Sequence, residues 1–192
     1  WKQGHPILAV RMNDLGTFYA NNQKYSNAKY YLKKSYSILK KTLGKNDPEV
    51  ATIASNLGTM YQDMQLFAKA KPLYKDALKI RKEKFGNCNP TVASTMHNLG
   101  TLLLRTGEIK NAEFYFREAL KIDVQTIGET HPKAQNRLNN LAISLIMQDK
   151  FIEAKNTLIK VWEFKRTNHD ITSFRILFIR IVLEIIQGNN IA

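Results

Sequence analysis

The chain has 192 residues, of which 44% are hydrophobic and 23% charged, a balance typical of soluble globular proteins. Its 29 basic residues exceed its 16 acidic residues, so the net charge of +13 brings nucleic acid, anionic membrane and acidic protein into consideration as partners. The single cysteine excludes an intramolecular disulfide and favours a cytoplasmic location.

No signal peptide opens the sequence, and the first residue is Trp1 rather than methionine. We therefore expect the chain to be a piece of a longer protein.

An internal repeat is the main feature of the sequence. Prolines recur every 42 residues, at Pro6, Pro48, Pro90 and Pro132. Residues 47–88 and 89–130 align without a gap and share 13 identities in 42 positions, far more than unrelated segments share. We infer four repeats, at about 5–46, 47–88, 89–130 and 131–172.

Each repeat predicts two helices. The first helix begins at a capping residue followed by proline, a pair that satisfies the free N–H groups of a helix start. The capping residues are His5, Asp47, Asn89 and His131. The second helix is followed by a glycine that adopts the left-handed conformation without penalty. These glycines are Gly44, Gly86 and Gly128.

Small residues recur where the two helices of a repeat are expected to meet. They are Gly16, Gly58 and Gly100 in the first helices, and Ala28, Ala70 and Ala112 in the second. We expect each to leave room for a bulky Tyr or Phe of the partner helix. One hairpin cannot bury its apolar face alone, so the hairpins must stack, and the fold class is an all-α solenoid of antiparallel helix pairs.

The segment after the fourth repeat predicts a partial fifth repeat over 173–192. The apolar run 171–187 contains Arg175, Arg180 and Glu184, which argue against a membrane span. We expect a helix over 174–187 that is covered by another hairpin, by further residues of the protein or by a second chain, which would allow self-association.

The repeat resembles the tetratricopeptide repeat (TPR) in the order of its key residues. These are Leu57, Gly58, Tyr61, Ala70, Tyr74 and Ala77. Its length, the linker Gly-x-x-(His/Asp/Asn)-Pro and the segments SNLGTMY and NNLA resemble the kinesin-light-chain subtype. The resemblance covers nearly the whole chain and implies one right-handed superhelical array over 1–192.

The resemblance also implies that the first helices line a concave groove, with three residues of each helix spaced four apart on one stripe. The implied groove residues are Asn13, Thr17, Asn21, Ser55, Thr59, Asp63, His97, Thr101, Arg105, Asn139, Ile143 and Met147. Most of these side chains are small, polar and uncharged. Such a surface suits hydrogen bonding to an extended peptide or a partner helix.

A second set of polar residues recurs next to the groove. It comprises Asp14, Asn56, Asn98 and Asn140. The asparagines would either bind a peptide backbone or form hydrogen bonds between repeats. The carboxylate clamp of chaperone-binding relatives, with its basic first residue, has no counterpart at Asn13, Ser55 or His97, so chaperone C-termini are not expected ligands.

No catalytic motif is present, and no cofactor or metal is expected. Cys88 and His97 lie nine residues apart but lack further ligands, so we interpret Cys88 as a linker residue and His97 as a groove residue. Glu113 and Glu118 are expected on the solvent-exposed surface of a second helix.

The positive charge is concentrated in the first repeat, where residues 5–46 contain eight basic residues and one acidic residue. Many of the basic residues fall on the second helix, on the expected convex side. They are Lys29, Lys33, Lys34, Lys40 and Lys41. A solvated face is the simplest interpretation. Nucleic-acid binding would require interleaved aromatic residues, and Tyr25, Tyr31, Phe67, Tyr74 and Phe116 are expected at packing positions instead.

These observations favour a non-enzymatic scaffold or adaptor that binds a peptide or helix of a partner protein, with acidic peptides drawn to the basic residues. A regulatory or oligomerisation arm of a larger protein, with an enzymatic domain elsewhere, is the second interpretation. Nucleic-acid binding through the basic face is the third.

Overall fold

The computed structural model describes residues 5–167, and within that range the chain is made of eight α-helices without a strand. The helices are α1 (Pro6–Asn21), α2 (Tyr25–Thr42), α3 (Pro48–Asp63), α4 (Phe67–Phe85), α5 (Pro90–Arg105), α6 (Ile109–Thr126), α7 (Pro132–Ile146) and α8 (Phe151–Thr167). They occur in the predicted order, with two helices to each repeat. The partial repeat expected over 173–192, including the apolar helix over 174–187, lies outside the described residues.

The predicted capping residues begin all four first helices. The side chains of His5, Asp47 and His131 accept the backbone N–H two residues later, at 3.3, 2.8 and 3.1 Å respectively. Asn89 Oδ1 accepts the backbone N–H of Thr91 at 2.9 Å. Because both histidines accept these bonds through Nδ1, they act as helix caps, as the sequence predicted.

The turn inside each helix pair has the same geometry at the same repeat position. Leu66 N–H, for example, donates to the Tyr61 carbonyl at 2.8 Å, the six-residue closure of a Schellman motif. The residue before that donor has a positive φ in all four turns. In three turns this residue is Gln23, Gln65 or Asp149, each with φ 58°. In the remaining turn it is Gly107, with φ 80°. Three of the four turns therefore hold a side chain in a conformation that favours glycine.

The described residues divide into two compact units, with the boundary between Leu102 and Leu103 inside α5. In the first unit, the predicted close approach is confirmed at two glycines. A Cβ on Gly58 would lie 2.8 Å from Tyr74 Cε1, and one on Gly16 would lie 2.7 Å from Leu32 Cγ. The expectation of an aromatic partner was wrong for Gly16, because the first repeat has a leucine at the position of Tyr74.

The second unit has its own apolar core. Leu138 of α7 and Val161 of α8 are buried together, with Leu120 of α6 packed against them. Ala142 and Leu158 form a second buried contact, covered by Ile146. α7 therefore packs on both the helix before it and the helix after it, as stacked hairpins require.

We expect Gly58→Ala to destabilise the protein. Alanine would add about 1 kcal/mol of helix propensity, but overpacking a filled core costs about 1–3 kcal/mol, and the Tyr74 ring is fully buried. Urea unfolding followed by circular dichroism should show a net loss. A variant as stable as the natural protein would mean that the tyrosine ring moves aside freely.

We expect Gln65→Gly to stabilise the protein by about 0.5–1 kcal/mol, because glycine removes the cost of a left-handed side chain. The reverse change at the equivalent position, Gly107→Gln, should lower stability. Thermal unfolding of the two variants checks this, and shifts of the same sign would contradict it.

Candidate functional site

The predicted groove residues of α1 and α3 lie within the first unit. We call the set Asn13, Thr17, Asn21, Ser55, Thr59 and Asp63 the polar stripe. Asn21, Thr59 and Asp63 are exposed, Asn13 and Thr17 are half-buried, and Ser55 is buried. The outer half of the stripe on each helix is thus open to a ligand, whereas Ser55 lies below the surface.

A side-chain hydrogen bond joins the two helices of the polar stripe. Asn56 Nδ2 of α3 donates to Asn13 Oδ1 of α1 at 2.8 Å. This bond supports the interpretation of Asn56 as a link between repeats, although its partner is Asn13 and not Asp14. Asp14 is exposed and lies 3.6 Å from Arg11. Asn98 and Asn140, at the same repeat position as Asn56, are half-buried.

The threonines at the second groove position make equivalent hydrogen bonds in three repeats. The hydroxyls of Thr17, Thr59 and Thr101 donate to the carbonyls four residues earlier, at 2.7, 3.1 and 3.0 Å. A hydroxyl has one donor and two acceptor positions. With its proton directed into the helix, each threonine oxygen is set to accept a hydrogen bond from a ligand.

Tyr74 connects the polar stripe to the core. Its hydroxyl lies 3.0 Å from Thr59 Oγ1, while its ring is completely buried against Gly58. Burial raises the pKa of Tyr74 to about 12, and the Asp63 carboxylate adds to the shift. The phenol is therefore neutral at physiological pH and fixes the rotamer of Thr59.

Arg81 of α4 links α3 to α5 in the first unit. Its Nη1 donates to Thr95 Oγ1 at 2.5 Å, and its Nη2 donates to Thr52 Oγ1 at 3.2 Å. Burial lowers the pKa of Arg81, with Glu49 opposing the shift. This link holds the helix that carries His97 and Thr101, both half-buried, next to α3. The sequence analysis did not single out Arg81.

The remaining predicted groove residues lie in the second unit. Arg105 and Met147 are exposed, and Asn139 and Ile143 are half-buried. Met147 is 55% exposed, so its thioether offers an apolar contact to a ligand at that end of α7.

The expectation that Glu113 is a solvated surface residue was wrong. Its side chain is buried and accepts hydrogen bonds from Arg117 at 2.9 Å, Gln148 at 2.7 Å and Lys150 at 2.8 Å. Burial alone would raise the pKa of Glu113, but these donors outweigh it and the pKa falls below its ordinary value. Arg117 also pairs with Glu153 at 2.7 Å, so the cluster joins α6 to the turn before α8 and to α8 itself.

A second buried ion pair was also missed. Asp123 of α6 and Arg137 of α7 are in direct contact, with side chains 0% and 3% exposed. Burial raises the pKa of Asp123 and Arg137 opposes that shift. The pair occupies the repeat positions of Arg81 and Thr95, because each residue lies 42 places later. The signal in the sequence is that the same two positions hold Leu39 and Ile53 in earlier repeats, which indicates that both positions are buried.

Among residues 5–167, no group of three or more His, Cys, Asp or Glu side chains is arranged to hold a metal ion. Cys88 is exposed in the linker before α5, and His169 lies outside this range. In the same part of the chain, no helix has the length and hydropathy that crossing a bilayer demands.

The architecture defines a class: an all-α repeat protein of stacked helix pairs with polar residues along its first helices. The tetratricopeptide repeat profile matches residues 7–83, 49–123 and 91–166, which together cover most of the sequence. The chain belongs to the tetratricopeptide repeat family. No curated protein sequence matches it.

Several solved structures share this fold. BtubC (BKLC) from P. vanneervenii aligns with a TM-score of 0.75 at 21% identity, over 84% of this chain. This chain spans 64% of the length of BtubC. A Podosopora anserina protein assigned to the kinesin light chains, with nearly identical TPR-like repeats, aligns with a TM-score of 0.76 at 20% identity, over 85% of this chain and 77% of its own.

A third similar structure is the apo form of RapI, with a TM-score of 0.75 at 16% identity. The alignment covers 84% of this chain and 57% of the RapI chain. The kinesin-light-chain subtype expected from the sequence is therefore represented among the structural neighbours. TPR solenoids present extended surfaces for binding other proteins, and the chain has the fold of a protein-interaction scaffold.

We expect Glu113→Gln to lower the free energy of unfolding at pH 7 by about 2–3 kcal/mol, since it removes a buried charge that accepts several hydrogen bonds. A depressed folded pKa contributes stability above the unfolded value of about 4.3 and loses it as the pH falls. The deficit of the variant should therefore shrink between pH 5 and pH 3.

Urea unfolding at several pH values measures that deficit. Glu118→Gln on the same helix is the control, because Glu118 is half-buried and outside the Glu113 cluster. A deficit that stays constant with pH would show that the charge of Glu113 contributes nothing.

Proposed function

We propose that the protein is a non-enzymatic adaptor whose polar stripe binds an extended peptide or a helix of a partner protein. The observation that carries the proposal is the Asn56 to Asn13 hydrogen bond, which sets the stripes of α1 and α3 side by side. Two adjacent polar helix faces can contact both edges of a peptide backbone, whereas one helix can contact only one.

The chemistry of the stripe favours backbone recognition. Thr17 and Thr59 direct their protons into their own helices, which leaves oxygen acceptors for the N–H groups of a peptide. Asn21 adds an exposed amide with both donors and an acceptor, and Asp63 adds an exposed carboxylate that would select a basic or N–H-rich ligand nearby. Side-chain selectivity would come from these exposed ends.

The proposal extends to the groove residues His97 and Thr101 of the first unit and to Arg105, Asn139, Ile143 and Met147 of the second, which occupy the equivalent repeat positions. In this proposal the chain is one array of repeats, and Arg105 would attract an acidic side chain of the partner. We further propose a cytoplasmic location, which the single, exposed Cys88 supports.

A phage-displayed random peptide library tests the stripe directly. Peptides selected on the natural protein should bind the double variant Asn21→Arg with Asp63→Arg at least about tenfold more weakly, because two contacts at the exposed ends of the stripe are lost and two arginines obstruct it. Isothermal titration calorimetry with synthetic peptides measures the affinities.

The matched control is Asn27→Arg with Asp76→Arg, which makes the same two substitutions at exposed positions of α2 and α4. This control should bind the selected peptides like the natural protein. Peptides that bind the stripe variant normally, or that lose affinity equally for both variants, would contradict the proposal.

A further inference from the structure

One face of α2 is basic throughout. The helix buries Ala28, Leu32, Ser35 and Leu39, and it contains no acidic residue along its 18 positions. Its lysines are all exposed, and we call them, together with Tyr30, the lysine face. They are Lys29, Lys33, Lys34, Lys40 and Lys41. Lys29 and Lys40 are about 16 Å apart along the helix axis, so the face can follow an extended polymer.

The other repeats show that the absence of acidic residues is specific to α2. The position of Lys34 is Asp76 in α4 and Glu118 in α6, and the position of Lys41 is Glu83 in α4. The same scaffold thus carries interleaved acids elsewhere in the chain. α4 is also rich in lysine, with six, but Asp76 and Glu83 lie among its lysines, whereas α2 has no acid to offset its charge.

The charge of the lysine face is uncompensated. Over the described residues, none of its five lysines forms an ion pair, whereas Lys79 on α4 lies 3.9 Å from Glu83. Like charges on one helix repel one another and destabilise it slightly. An anionic ligand would remove that repulsion, which gives the face an intrinsic affinity for polyanions.

An aromatic ring lies among these lysines. Tyr30 is 56% exposed and is the only exposed large apolar side chain of α2. Lys34 Nζ lies 5.5 Å from its ring centroid and 3.3 Å from its hydroxyl, and Tyr31 packs edge-on at 5.1 Å. The ring is therefore held in place while much of it remains open to solvent. The sequence analysis assigned Tyr25 and Tyr31 of this helix to packing positions and did not consider Tyr30.

The ring and three of the five lysines line a shallow depression of about 630 Å³. It is lined by Ser26, Lys29, Tyr30, Lys33, Lys34 and Ser37. Cations and hydroxyls are the groups that contact phosphate and sugar oxygens, and an exposed aromatic ring can stack on any base.

We propose that the lysine face binds single-stranded nucleic acid without strong sequence preference. Lys29, Lys33 and Lys34 contact phosphates, and Tyr30 stacks on a base. An acidic peptide would need the charges but not the ring. A membrane surface would need apolar side chains to insert, and α2 exposes none besides Tyr30.

Fluorescence anisotropy with labelled oligouridine and oligothymidine at low salt tests this proposal. Lys33→Glu with Lys34→Glu should weaken binding at least about tenfold and lower the slope of log affinity against log salt by about 1.4, since each phosphate contact on a single strand contributes about 0.7. Lys75→Glu with Lys79→Glu, the same charge change at exposed positions of α4, should have a much smaller effect.

Tyr30→Ala should weaken binding by about fivefold or more, and Tyr30→Phe should retain it, because stacking requires the ring and not the hydroxyl. Equal loss in the α2 and α4 lysine variants would overturn the assignment to this face. So would unchanged affinity of Tyr30→Ala, or the absence of oligonucleotide binding at low salt.

Polyglutamate and phosphatidylserine vesicles identify the competing partners. If either binds more tightly than oligouridine, the proposal is wrong and the face serves an acidic protein or a membrane. Because these residues lie outside the polar stripe, the result is independent of the peptide experiment.

Discussion

The close packing of α3 on α4 depends on glycine at position 58. With no Cβ at Gly58, α3 and α4 approach until the Tyr74 ring lies directly on the α3 backbone. In this position the Tyr74 hydroxyl lies within hydrogen-bond distance of Thr59, a residue of the polar stripe. The packing of the hairpin and the orientation of a candidate ligand contact therefore have one cause, and a ring displaced from Gly58 would also release the threonine.

Two positions where successive repeats meet hold residues of different chemical character in different repeats. The position that holds Leu39 in the first repeat holds Arg81 in the second and Asp123 in the third. The position fourteen residues later holds Ile53, Thr95 and Arg137 in turn, and all six sites are buried or half-buried. A buried charge is tolerated only beside its own partner. These repeats are therefore not interchangeable, although their backbones are alike.

The helix boundaries were predictable because each signal is local and occurs several times. A capping residue before proline, or a glycine after a helix, acts on its own few residues whatever lies around it. Repetition at a spacing of 42 then separates such signals from chance.

Side-chain partners were harder to predict, because repeat position describes only the average environment. Glu113 occupies the position of Lys29 and Lys71, which suggested an outer surface. Lys150 and Gln148 bury it, and they lie more than thirty residues further along the chain. The polar stripe shows the same limit. Its residues were those that the family resemblance implied, but the burial of Ser55 depends on neighbouring helices.

The range of these contacts has a consequence for how the protein folds. Asn56 and Asn13 are 43 residues apart, Arg81 reaches 29 residues back to Thr52, and Lys150 reaches 37 back to Glu113. Each of these bonds spans about one repeat or less. Closing such short loops costs little entropy, so a hairpin can form early and serve as a template for the next. Folding can then begin at any hairpin and spread to its neighbours.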